Sequence, residues 1–101
     1  MDGCHYIGNQ WVPASAGETI PVLDPSDAAP FAAIARGRAA DVDRAVAAAR
    51  AAMGDALDGP WGGMTAVARG RLLMKLSQAV QAHHEELAQI EARDTGKALR
   101  V

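Results

Sequence analysis

Alanine occupies 23 of the 101 positions, and this limits what the chain can fold into more than any motif does. Half of the residues count as hydrophobic, but the large ones among them are few: 7 Leu, 7 Val, 4 Ile, 4 Met, 2 Trp, one Phe and one Tyr. Burying an alanine side chain yields far less transfer free energy than burying a leucine or phenylalanine. A chain of this length is at most one domain, near the lower end of what supports its own core. The expectation is a marginal monomer, or a segment that buries its apolar faces against something else.

The order of the elements narrows this further. Tyr6-Ile7 and Gln10-Trp11-Val12 are short extended runs around Gly8-Asn9, a pair suited to the positive φ of a primed hairpin turn. Thr19-Ile20-Pro21-Val22-Leu23 reads as an edge strand, because proline cannot donate to a ladder. Asp24-Pro25-Ser26-Asp27 is a turn cluster, and Phe31 to Arg36 is a further extended run. Three helical patterns follow. In the first, Ala39 to Met53, the residues Val42, Ala45, Val46, Ala49, Ala52 and Met53 form one narrow apolar stripe, and Asp41 in the first turn suits the helix dipole. After a loop from Gly54 to Gly63 anchored by Trp61, Thr65 is the expected N-cap of a helix from Ala66 to Ala82 that buries Leu72, Leu73, Leu76, Ala79 and Val80. A third helix, Glu85 to Thr95, presents Leu87 and Ile90 and ends at Gly96, a suitable C′ residue.

Several function classes are disfavoured by charge and pattern. A net charge of −2 and a pI near 5.8, without a basic stripe carrying aromatics, argue against nucleic acid as a partner. No window approaches a membrane-spanning length of apolar residues, and Met1-Asp2-Gly3-Cys4-His5 lacks the features of a secretory signal. These readings place the chain in the cytoplasm. Cys4 is the only cysteine; with no scaffold to lower its pKa it reads as a loosely ordered thiol rather than a nucleophile.

Four constellations invite chemistry. Asp94 lies four residues after Ile90 and seven after Leu87, in the last helical turn, where the dipole disfavours a carboxylate. Such a group wants a cation, unless it points past the core into solvent. Asp94-Thr95-Gly96 also matches the aspartic protease triplet, but a helical pattern precedes it where a strand is needed. His83-His84-Glu85-Glu86 suggests a metal, yet adjacent histidines on a helix point about 100° apart, so a polar hinge is the better reading. Gly59, Gly62 and Gly63 flank Pro60 and Trp61 rather than following a strand, unlike a dinucleotide fingerprint. Arg36, Arg38, Arg69 and Arg71 read as solvated surface charges.

Taken in order, the motifs resemble the N-terminus of the NAD(P)-dependent aldehyde dehydrogenase superfamily, from Tyr6 to about Leu99. Tyr6-Ile7-Gly8-Asn9-Gln10-Trp11 is similar to its opening hairpin, Leu23-Asp24-Pro25 to its "NP" corner, and Asp41 to Arg50 to its first helix. Gly59-Pro60-Trp61 with Arg69-Gly70-Arg71-Leu72-Leu73 resembles its "PW…RxxLL" stretch, and Glu86-Leu87-Ala88 with Asp94-Thr95-Gly96-Lys97 its close. Asp24 stands where Asn is usual and Ala98 where Pro commonly follows the lysine, which affects turns only. The resemblance implies an α/β fold, of which residues 1–101 are a β-hairpin plus one further strand and three α-helices, an incomplete N-terminal part of the cofactor-binding domain. It implies an enzyme that oxidises small-molecule aldehydes to carboxylic acids with NAD or NADP, as a homo-oligomer. A cysteine thiolate attacks the aldehyde, and a glutamate activates the water that releases the product. None of the residues for that chemistry, nor the dinucleotide site, maps onto these 101 residues, so the chain alone is expected to be catalytically silent. One element does map: a structural monovalent cation, Na+ or K+, held by the carboxylate of Asp94 and the carbonyls of Val22 and Leu23. The contrasting expectation is a small helical interaction module that uses the exposed leucine stripe to bind a partner.

Overall fold

The structure is a computed structural model that describes residues 3–99. Among the described residues there are four strands and three helices: β1 (Cys4–Ile7), β2 (Gln10–Pro13), β3 (Thr19–Leu23), β4 (Pro30–Ala35), α1 (Ala39–Met53), α2 (Ala66–Ala82) and α3 (His84–Thr95). Strands β1 and β2 pair antiparallel, with Tyr6 opposite Trp11 and Ile7 opposite Gln10. Gly8 and Asn9 both take positive φ, 60° and 63°, as the hairpin turn requires. Strands β3 and β4 pair with each other. The edge strand expected over Thr19–Leu23 thus pairs with the extended run expected over Phe31–Arg36, and the described residues hold two hairpins. Cys4, expected to be loosely ordered, sits in β1 opposite Pro13 as a half-buried free thiol.

The chain divides into two compact units. The first contains the chain up to Val22 and Ala32–Met64; the second contains Leu23–Phe31 and the chain from Thr65. In the first unit β1 packs on α1. The Gly3 N–H donates to the Ala33 carbonyl at 3.0 Å, and the Arg36 N–H to the Glu18 carbonyl at 2.9 Å. The loop after α1 satisfies the helix's orphan carbonyls, which otherwise lack partners. Gly54 N–H donates to Arg50, Trp61 N–H to Ala52 and Gly59 N–H to Met53. A Cβ on Gly62 would collide with the Met53 carbonyl, so the glycines around Trp61 let this loop lie flat on the helix end.

In the second unit, the Thr65 hydroxyl accepts the Ala68 N–H at 3.1 Å and caps α2. Gly96 ends α3 in the left-handed region, φ 72° and ψ 10°, and its N–H donates to the Ala92 carbonyl. Helices α2 and α3 are separated by His83 alone, whose N–H donates to the Ala79 and Val80 carbonyls. The expected polar hinge is present, with the His83 ring 3.3 Å from Glu86.

The expected core is not. Among the described residues Ala14 is the one buried hydrophobic residue, at 6% exposure, and Asp41 the one buried polar residue, at 2%. Leu72, Leu73, Leu76 and Val80, expected to be buried by α2, are exposed, as are Val42, Val46 and Met53 of α1 and Leu87 and Ile90 of α3. Helical spacing predicted these stripes correctly, but a stripe is buried only where a partner surface meets it.

Candidate functional site

The most fully built polar site of the first unit centres on Asp41, at the third position of α1. Its carboxylate reaches back to accept the Arg38 N–H at 3.0 Å, satisfying one of the orphan donors of the helix start. It also accepts the Ser15 N–H at 2.9 Å, the Ser15 hydroxyl at 3.0 Å and an Arg44 Nη2 hydrogen at 2.7 Å. The same Arg44 nitrogen donates to the Pro13 carbonyl at 3.3 Å. One side chain thus ties the end of β2, the turn after it and the start of α1. The Arg38 N–H contributes most to holding Asp41 far below the usual carboxylate range, and Arg44 and Ser15 add to it, outweighing desolvation. A carboxylate locked in its ionised form by four donors can neither accept nor donate a proton at neutral pH. Asp41 is a structural tie.

Further polar groups complete this region. His5 Nε2 lies 3.8 Å from Asp41 Oδ2, beyond hydrogen-bond reach, and is a buried atom with no hydrogen-bond partner. His5 lines a cavity of about 240 Å3 together with Tyr6, Ile7, Gly37, Asp41 and Val42. Arg36 and Arg38, expected to be solvated surface charges, are exposed and both pair with Glu18, at 3.8 and 3.0 Å.

In the second unit the corner at Asp24 carries the polar contacts. Asp24 accepts the Ser26 hydroxyl at 2.6 Å and the Ser26 N–H at 2.9 Å. These, the hydroxyl first, lower its pKa against desolvation, and Arg93 adds to the effect. The Arg93 guanidinium stands over the Phe31 ring, 4.6 Å from its centroid, and 3.7 Å from the Asp24 carboxylate. Asp24, Ser26, Gln89, Ile90, Arg93 and Gly96 line an open cleft of about 540 Å3. The sequence marked Asp24 as a turn residue but carried no sign of the Arg93–Phe31 contact, which joins residues 62 positions apart.

Of the residues predicted to hold a cation, Val22 and Leu23 end β3, and Asp94 lies in the last turn of α3. Asp94 is exposed, and its carboxylate has no hydrogen bond or ion pair among the described residues. No group of three or more His, Cys, Asp or Glu with metal-ligand geometry occurs among the described residues. The glycines Gly59, Gly62 and Gly63 do not fit a dinucleotide. The space beside them is filled by the carbonyls of Ala52, Met53 and their own loop, and they follow a helix rather than opening one after a strand. No helix among the described residues is long and apolar enough to cross a membrane.

Comparison with known proteins agrees with the order of these elements. The model of the aldehyde dehydrogenase family matches residues 11–101. The mitochondrial benzaldehyde dehydrogenase of Antirrhinum majus is 42% identical over 91 residues, which are 90% of this chain and 16% of that protein. A candidate aldehyde dehydrogenase of Burkholderia cenocepacia superposes with a TM-score of 0.90 at 57% identity, over 96% of this chain and 20% of that one. An aldehyde dehydrogenase of Bacillus cereus, solved as its NAD+ complex, superposes with a TM-score of 0.91 at 36% identity, over 100% of this chain and 20% of that one. The chain thus spans a fifth or less of the length of these relatives.

Proposed function

This chain belongs to the aldehyde dehydrogenase family, and from that premise we propose that residues 1–101 form the N-terminal, incomplete part of the cofactor-binding domain of an enzyme that oxidises aldehydes to carboxylic acids with NAD or NADP. The observation that carries this reading is a family match running from residue 11 to residue 101. Backbone agreement at a TM-score of 0.90 over 96% of the chain supports it. The dinucleotide, bound elsewhere in the polypeptide, accepts the hydride. The role of the present residues is scaffolding: Asp41 fixes the hairpin β1–β2 on α1, and the Asp24 corner joins Phe31 to Arg93. A match of this extent does not favour the small interaction module.

The proposal includes a cytoplasmic homo-oligomer acting on a small-molecule aldehyde, with neither nucleic acid nor membrane as partner. It also includes Na+ or K+ at the Asp94 carboxylate, with the carbonyls of Val22 and Leu23. An exposed carboxylate and two backbone oxygens suit a hard monovalent ion in chemistry.

A chimera tests the reading. These residues replace the corresponding segment of the Burkholderia cenocepacia relative, and reduced nicotinamide is followed with an aldehyde present. The chimera is expected to turn over and the 101-residue chain alone to be silent. A folded chimera with its parent's oligomeric mass and no turnover would overturn the proposal, as would turnover by the chain alone. In the same chimera, exchanging K+ for choline is expected to lower Tm, and Asp94→Ala to remove that dependence. An ion effect that survives Asp94→Ala overturns the cation assignment.

A further inference from the structure

We propose that Asp41 locks the imidazole of His5 in its Nε2–H tautomer, which makes His5 a pin of fixed polarity between β1 and α1 and leaves Nδ1 as the ring's acceptor. Both residues belong to the first unit, and the proposal does not rest on the enzymatic reading.

Enclosure comes first. His5 Nε2 is buried and has no hydrogen-bond partner, although the side chain as a whole keeps 22% of its exposure. A buried polar atom left in that state costs free energy and calls for a physical reason. Solvent does not reach Nε2, so neither water nor a group from elsewhere in the polypeptide can touch it without first parting β1 from α1. Its surroundings are therefore set inside this unit. Gly37 packs on the same edge of the ring, where a Cβ would lie 3.6 Å from Cε1 and 3.9 Å from Nε2. Asp41 Oδ2 stands 3.8 Å from Nε2. The other ring nitrogen, Nδ1, is not enclosed in this way.

The separation of 3.8 Å has a cause. Each oxygen of Asp41 already accepts two hydrogens, Oδ1 from the Ser15 N–H and Arg44, Oδ2 from the Ser15 hydroxyl and the Arg38 N–H. A carboxylate offers about four lone-pair sites. With these taken, Asp41 does not draw the ring into a direct bond.

Charge then decides the tautomer. Arg44 pairs with Oδ1, so Oδ2 is the negative atom nearest the ring. An Nε2–H turns a positive hydrogen toward it. An Nε2 lone pair would turn negative density toward it, in a place where no water screens the repulsion. The proton position on an imidazole follows from what its ring nitrogens face, and here the enclosed nitrogen faces an anion. Asp41 thus acts on His5 as a positioning residue.

Nuclear magnetic resonance of the purified chain with 15N-labelled histidine tests this at pH ~8.5, well above the ordinary ~6.5 of an imidazole. The His5 ring is assigned by its disappearance in His5→Gln. It is expected to show a protonated Nε2 whose hydrogen exchanges slowly with water, and a bare Nδ1. The Nε2–H form should exceed the other at least ~10-fold, as a full charge acting from this distance at low dielectric implies. Asp41→Asn removes that charge, and the Nδ1–H form is expected to rise several-fold. If Asp41→Asn does not fold, the tautomer and its exchange protection in the wild-type chain decide alone. An Nδ1–H or mixed ring in the wild type overturns the proposal, as does an Nε2–H that exchanges freely. So does a tautomer unchanged in folded Asp41→Asn. Unfolded-chain shifts for every histidine, which would mean that β1 does not meet α1, overturn it too.

Discussion

Asp41 is the residue on which the first unit turns. Its four donors come from Ser15, Arg38 and Arg44, and only the helix-start bond was foreseeable, since an acid in the first turn suits the dipole. The contact with Ser15 spans 26 positions, and no local pattern announces it. Asp41→Asn keeps the shape but loses the charge and turns one acceptor oxygen into a donor that faces existing donors. It is expected to lower the thermal midpoint by several degrees, more than a substitution at an exposed apolar position; a far-ultraviolet circular dichroism melt checks this. Because the folded-state pKa lies below that of the unfolded chain, the carboxylate's stabilising contribution is fully present above the unfolded value, near pH ~4. It is lost as pH falls from there toward the folded value. Wild-type protein is therefore expected to lose stability steadily below pH ~4, and Asp41→Asn to flatten that acid limb of a Tm-against-pH profile.

At the scale of elements, the chain's punctuation was readable because it is local. Thr65 and Gly96 act where residue chemistry alone places them. A hydroxyl satisfies an orphan N–H at the start of α2, and a residue without Cβ takes the left-handed region at the end of α3. Thr65→Ala is expected to cost about 1 kcal/mol. Gly96→Ala is expected to cost about 1–2 kcal/mol, since its Cβ would also lie 3.1 Å from the Pro25 ring. Urea titrations of the two variants measure both. The pairing of β3 with β4 was less legible. Pro21 marked an edge, but which strand lies on its other side depends on the turn at Asp24-Pro25-Ser26-Asp27 bringing Pro30–Ala35 back along it.

At the scale of the whole molecule, composition sets the stability. With Ala14 the one buried hydrophobic residue among those described, unfolding exposes little new apolar surface. The urea dependence of unfolding follows that surface, so the m-value is expected at or below ~1 kcal/mol/M, the low end for small proteins. A steep, cooperative urea transition would contradict the burial pattern.

The positions of the helices, the first hairpin, the two helix caps and the family are all legible from residue order. Each rests on interactions between residues a few places apart, or on an ordered series of short motifs. Contacts across the fold settle which faces are buried, that Asp41 rather than Asp94 is the enclosed carboxylate, and that Arg93 stands over Phe31. Periodicity tells which side chains share a face but not whether another surface meets it, because burial depends on contacts between residues far apart in the chain.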